Sequence, residues 1–267
     1  AKAVPIDIDD DLHLDFEDLK KKINNKTKAV LYVHFGGMLK VLTKLKNYLD
    51  KKKICLIEDC AQVFGTKINN KHPGTFGDFG TFSMNPMKLL PSIGEAGAIS
   101  CNKKKDYDKI KILRYAGVVN GEKCLYSELN HKIDNLLSLQ IVYNLKKVKN
   151  LISKKIFIAE EYNRKLTNKI IKPKFFKNFS HNYYSYIIFC NKREKLIKYL
   201  NKNGIETKTY YQYLIYDHKP FKNLKNICPN AEKLKKKMLC LPIDENLSKK
   251  QIQYVINKIN SFYLKYE

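Results

Sequence analysis

The chain of 267 residues has almost no arginine: Arg114, Arg164 and Arg193 are the three among 51 basic residues, which leaves 48 lysines. A formal net charge of +25 ordinarily raises nucleic acid or an anionic membrane as partner, but surfaces that read phosphates and base edges favour the forked guanidinium. Lysine, asparagine, isoleucine and tyrosine are spread along the whole chain, the pattern of AT-rich codon usage, so nucleic acid is not an expected partner. No stretch approaches the roughly 18 to 20 uninterrupted apolar residues of a membrane helix. The seven cysteines form no C-x-x-C pair and no cluster with histidine at zinc spacing, which reads as reduced thiols without a metal. The first residues, Ala1 to Pro5, lack the apolar core of a signal peptide, so the expected location is the cytoplasm. An initiator methionine is also lacking, which suggests either its removal or a start inside a longer protein.

What is present is a chain long enough for a large domain with a smaller one. Ala29 to Phe35, closed by Gly36-Gly37, and Ile54 to Ile57, ending in Glu58-Asp59, have the continuous apolar character of strands buried on both faces. Between them Leu39, Leu42, Leu45 and Leu49 recur at helical spacing, so strand, helix, strand implies a parallel crossover. Short apolar runs follow at 80–84 and 96–101, separated by a loop rich in Pro and Gly. Helical periodicity then predicts one long helix from Asp134 to about Leu166, with a break possible in the pattern near Lys149-Asn150 and a stop at Pro173. Beyond it the sequence predicts a strand over 184–189, a helix from Glu194 to Asn203, a strand from Ile205, and helices over 230–238 and from Ser248 to Tyr266, with Ser248 as N-cap. The division expected is a large domain over 1–165 and a small α/β domain over 166–267.

Ligands collect at the carboxyl ends of parallel strands, which points to His34, Asp59 and the loop after Met84. An acid ending an apolar strand is either a turn residue bonded to backbone N–H groups or the partner of a protonated ligand atom. Lys88 stands alone in the mostly uncharged segment from Thr81 to Ala98, a setting that can desolvate an amine and make it nucleophilic toward an aldehyde.

The runs Ile57-Glu58-Asp59-Cys60-Ala61-Gln62-Val63-Phe64-Gly65, Gly74 to Ser83, and Asn85-Pro86-Met87-Lys88 through Gly94-Glu95-Ala96-Gly97-Ala98 closely resemble the sugar aminotransferases of the DegT/DnrJ/EryC1/StrS family. Val33-His34, Leu113-Arg114, Gly204 to Thr207, Tyr211 and Leu241-Pro242 extend the resemblance over the whole chain. It implies a fold-type I, pyridoxal 5'-phosphate-dependent transferase: an α/β large domain with a mainly parallel sheet, incomplete at its N-terminus, plus the smaller C-terminal α/β domain. Carried over by position, Lys88 would condense with the cofactor aldehyde and Asp59 would hold the pyridine nitrogen protonated. Gln62 would lie against the ring, and Ser83 and Asn85 near the phosphate. Asn130 matches an asparagine that reaches the phosphate of a neighbouring subunit, which implies a homodimer with a shared site, although Lys132 stands where the family usually has arginine. For Asn130 a helix-cap or turn role before Asp134 is the alternative. Tyr210 takes a substrate-side position often held by histidine. His34 lines the substrate side of the ring or is a hydrogen-bonded core residue.

The activity implied moves an amino group from glutamate to a nucleotide-linked keto sugar for surface-polysaccharide or related glycan synthesis. Related dehydrating enzymes replace the lysine with histidine, and Lys88 speaks against that branch. About a hundred residues that the family carries before the segment matching Ala1 are expected to be missing, with weaker cofactor binding as the consequence. The competing expectation is a truncated, inactive subunit used for binding or assembly.

Overall fold

A computed structural model describes residues 1–172, 179–224 and 228–266, without the side chain of Phe179. In chain order the elements are α1 (Phe16–Lys22), β1 (Ala29–Val33), β2 (Met38–Lys40), α2 (Thr43–Lys51), β3 (Cys55–Asp59), β4 (Phe79–Ser83), β5 (Gly97–Cys101), α3 (Lys104–Arg114), β6 (Val118–Val119), β7 (Lys123–Cys124), α4 (Asn135–Lys165), β8 (Phe179–His181), β9 (Tyr186–Phe189), α5 (Arg193–Lys202), α6 (Pro229–Lys235), β10 (Met238–Leu241) and α7 (Lys249–Lys265). The chain falls into two compact units, one of residues 28–34 and 39–150, the other of residues 1–27, 35–38 and 151–267.

The first unit is built on a sheet of order β1-β3-β4-β5. β1 and β3 are parallel with Val33 opposite Asp59, β3 and β4 are parallel with Asp59 opposite Thr81, and β5 runs antiparallel to β4. This is the α/β architecture with a mainly parallel sheet that the apolar runs predict. Burial alternates along β1 and β3 because successive side chains point to opposite faces. Val30, Tyr32, Leu56 and Glu58 are buried on one face, with Leu39, Leu45 and Leu49 also in the apolar interior. The other face carries Leu31, Val33 and Ile99, which are 60%, 40% and 57% exposed, so β1 is not buried on both faces as its apolar run implied. Leu39 does not begin the helix: it lies in β2, and α2 starts at Thr43.

The second unit pairs β9 antiparallel with β10, Tyr186 opposite Leu241. Ile158, Ala159, Tyr162, Tyr186, Ile188, Leu196, Leu200, Leu239, Ile256, Ile259 and Phe262 form its core. α7 begins as predicted, with Ser248 and Gln251 making a capping box. α4 runs through Lys149-Asn150 without a break and ends at Lys165; Pro173 lies outside the described residues.

Two further expectations are corrected. Ile205 lies in no strand, because the backbone there turns out of α5 through Gly204 at φ +69° and touches β10 only through an isolated bridge from Lys208 to Cys240. The helix expected to run to Met238 stops at Lys235, and Met238 instead opens β10, all four of whose residues are buried. Among the described residues no helix is long and apolar enough to cross a membrane.

Candidate active site

Three adjacent parallel strands end side by side, and three of the predicted residues lie at their ends. Asp59 closes β3, Ser83 closes β4, and His34 follows β1. The ends are laced together by main-chain bonds: the His34 N–H donates to the Asp59 carbonyl at 3.1 Å and the Cys60 N–H to the Thr81 carbonyl at 2.8 Å. Half-buried Asp59 accepts the Ala61 N–H on Oδ1 at 2.9 Å, the turn role expected of such an acid. This is the carboxylate's one hydrogen bond among the described residues, so Oδ2 can still accept from a ligand. Gln62 sits half-buried in the turn that follows.

The segment from Met84 to Ala96 is a closed loop. Its ends are joined by the Met84 N–H donating to the Ala96 carbonyl at 2.8 Å, and its middle folds back through the Ser92 N–H to the Met84 carbonyl at 2.8 Å. Buried Ser92 bonds through its hydroxyl to the Gly94 carbonyl and accepts the Gly94 N–H. Asn85 organises the near side: Oδ1 accepts the Met87 N–H at 2.9 Å, Nδ2 donates to Glu95 Oε1 at 2.6 Å, and its carbonyl accepts the Lys88 N–H at 2.9 Å. The Ser83 hydroxyl accepts the Asn85 N–H at 3.4 Å. Lys88 is thereby held half-buried on an internally braced turn. At the loop's exit a side chain on Gly97 would meet the Phe82 carbonyl at 2.8 Å, which fits the need for glycine where backbones approach closely.

Asn130 lies elsewhere in this unit, exposed, in an isolated bridge with Tyr115 and accepting the Lys132 N–H on its own side chain at 3.1 Å. Tyr210 belongs to the other unit. Its hydroxyl accepts from Ser185 Oγ at 2.8 Å, and burial pushes it up to about 12.

His34 is fully buried, its Nε2 2.9 Å from Glu58 Oε2, the setting of a hydrogen-bonded core histidine. Glu58 is the residue that the sequence argument did not single out. It is wholly enclosed and accepts the N–H groups of Gly74, Phe76 and Gly77 at 3.0, 2.8 and 2.6 Å. Burial alone would raise its carboxyl, yet the bonds from His34 and from the Gly77 and Gly74 amides outweigh it and hold Glu58 below the usual carboxylate range. The available signal was parity: Glu58 shares the inward parity of Leu56, so its acid had to find donors inside.

Lys88 thus sits on a braced loop beyond β4, and Asp59 ends β3, the neighbouring parallel strand, at the sheet end where α/β proteins collect ligands. The chain belongs to the DegT/DnrJ/EryC1/StrS aminotransferase family, whose profile matches residues 1–260; members are pyridoxal phosphate-dependent transferases. It is 31% identical to GDP-perosamine synthase of Vibrio cholerae over 94% of this chain and 71% of that protein. With GDP-perosamine synthase of Escherichia coli O157:H7 the identity is 29%, over 98% and 73%. A solved structure of Spr1654 from Streptococcus pneumoniae in its PLP-form shares the fold, with a TM-score of 0.90 at 19% identity, covering 99% of this chain and 76% of that one.

Proposed function

We propose that the protein is a pyridoxal phosphate-dependent aminotransferase that moves an amino group from glutamate to a nucleotide-linked keto sugar, serving surface-polysaccharide or related glycan synthesis in the cytoplasm. The observation that carries this is the placement of Asp59, Ser83 and Lys88 at and beyond the ends of β3 and β4, together with family membership. The names of the two perosamine synthases support a nucleotide-linked sugar as substrate.

The residues present fit the cofactor. Asp59 keeps an acceptor oxygen, as a carboxylate must if it is to hold a proton on a ring nitrogen, and Lys88 offers a primary amine on a loop fixed by Asn85. Gln62 would lie against the ring's phenolic oxygen, and Ser83 with Asn85 would take the phosphate. Asn130 of one copy would reach the phosphate held by another, making a homodimer with shared sites, and Tyr210 is assigned to the substrate side, whereas His34, buried against Glu58, takes the core role that was its alternative. When bound, the cofactor supplies an electron sink for the carbon that bears nitrogen. Asp59 would keep the ring nitrogen protonated. With the cofactor bound, the freed Lys88 amine would serve as the general base that moves a proton at the carbon bearing nitrogen, with glutamate in one direction and with the keto sugar in the reverse.

A subunit without turnover is the second reading, favoured by the solvent-facing Leu31, Val33 and Ile99. Visible absorption with pyridoxal phosphate, before and after borohydride, separates the two when run on the protein and on Lys88→Ala. The expected result is a band absent from the variant and a reduced adduct on the Lys88 peptide. An identical spectrum in both proteins, or an adduct elsewhere, would overturn the assignment.

A further inference from the structure

Glu58 and Asp59 are consecutive on β3, so their side chains leave opposite faces of the sheet. Register places Glu58 between Tyr32 and Gly80, and Asp59 between Val33 and Thr81. On the enclosed face, Glu58 receives four donors: the amides of Gly74, Phe76 and Gly77, and His34 Nε2. Two carboxylate oxygens offer about four lone-pair positions, so its capacity is full. These bonds tie three pieces of chain together: the end of β1, the end of β3, and the turn that leads into β4. On the main chain the same histidine donates from its N–H to the Asp59 carbonyl at 3.1 Å. Asp59 is thus gripped through its own carbonyl by His34 and through the preceding residue by Glu58.

A carboxylate only accepts, so His34 carries its proton on Nε2, and His34 Nδ1 has no hydrogen-bond partner among the described residues. A buried polar atom without a partner is costly, and buried polar pairs add little stability beyond what apolar residues of the same volume would give. What such a pair does supply is fixed geometry. Cys60 approaches the pair closely enough for the three to resemble a metal site. The saturated Glu58 oxygens and a thiol pushed upward by burial and by the Glu58 and Asp59 charges argue against an ion there.

We propose that the buried His34–Glu58 pair is a positioning device for Asp59, setting from the far face of the sheet where the Asp59 carboxylate meets the cofactor's ring nitrogen. It rests on the function proposed above.

The test uses the full chain, with the dissociation constant for pyridoxal phosphate measured by absorption titration and stability by urea unfolding. Glu58→Gln presents an amide where an acceptor is required, and should bind the cofactor roughly tenfold more weakly while still giving a borohydride adduct on Lys88 at saturation. His34→Gln, which can still donate to Glu58, should bind more tightly than His34→Ala. The control Leu56→Ala, a cavity on the same buried face, should lose stability with its affinity unchanged. Nitrogen-15 NMR should find His34 protonated at Nε2. Wild-type affinity in Glu58→Gln, an equal loss in Leu56→Ala, or protonation of His34 at Nδ1 alone would overturn the inference and leave the assignment of Lys88 intact. Absence of Lys88-dependent binding in the wild type would overturn both.

Discussion

Asp7 and Ala231 stand 224 positions apart, and the Asp7 Oδ1 accepts the Ala231 N–H at 2.9 Å. Oδ2 takes the Asn230 N–H at the same distance. The first turn of α6 is therefore capped from the opposite end of the chain, where its own N-cap residue, Cys228, makes no side-chain bond. Asp7 is itself held by its N–H donating to Asp18 Oδ2 at 2.7 Å. Asp7→Ala should lower unfolding free energy by about 1 to 2 kcal/mol, the cost of a lost cap. Urea unfolding checks this; an unchanged midpoint would mean that water caps α6 equally well.

Two enclosed carboxyls contribute to the acid limb of the stability profile. Burial would raise Asp78, but the Leu56 N–H at 2.8 Å and Lys46 lower it, as His34 and the turn amides lower Glu58. Because both folded-state values lie below the unfolded ones, their contribution is complete above the ordinary carboxylate range and is lost as pH falls through the depressed values. Burial likewise lowers His181, to about 3, so the unfolded chain takes up that proton first; stability should be level above about pH 7, begin to fall below about pH 6.5 and decline further as the two carboxyls protonate. Asp78→Asn should flatten that decline in unfolding curves collected across pH, and an unaltered slope would count against the assignment.

Thiol chemistry should sort by burial. Burial pushes Cys190 up to about 11 and Cys240 up to about 12, and raises Cys60 and Cys228 as well. Cys124 is exposed on β7. Brief iodoacetamide treatment of the folded chain, read by peptide mass mapping, should label Cys124 and spare those four. Early labelling of Cys60 would contradict the packing beneath Asp59.

Gly80 lies where β4 passes the turn at Gly74: a Cβ on Gly80 would come within 2.3 Å of the Gly74 Cα and 2.6 Å of Ser100 Oγ. Backbone cannot step aside as a flexible side chain can. Gly80→Ala should destabilise by about 1 to 3 kcal/mol and disturb the Glu58 bonds to that turn. Gly121→Ala is a useful contrast: its Cβ meets nothing within 4 Å, and its cost comes from φ +76° alone. A Gly80→Ala midpoint no lower than that of Gly121→Ala would refute the steric account.

The parallel strands were legible because β1 is an apolar run of five residues closed by a turn and β3 a shorter apolar run closed by two acids, and α7 because Ser248 and Gln251 announce its start. The strand-end placement of Asp59 and the uncharged surroundings of Lys88 were legible from pattern and composition, whereas the roles proposed for them came from the family resemblance. β10 was not, since a four-residue strand buried on every side carries no alternation and follows a helical run without a break. Leu39 misled for a related reason: it shares the spacing of Leu42, Leu45 and Leu49, and only the glycine-rich turn at 35–37 displaces it from their helix. The cap on α6 and the bonds around Glu58 join residues distant in sequence, and no local pattern encodes a partner on another segment. What sequence could supply was the inward parity of an acid, which states a need without naming who meets it.

The fourfold saturation of Glu58 also bears on how this protein can change over time. Aspartate is one methylene too short, glutamine brings hydrogens where acceptors are required, and an apolar residue strands three amides and a histidine at once. No single exchange at position 58 is neutral, so an escape route must pass through joint changes at 34 and in the turn 74–77. In evolutionary terms these positions form an epistatic block, inherited together or rebuilt together.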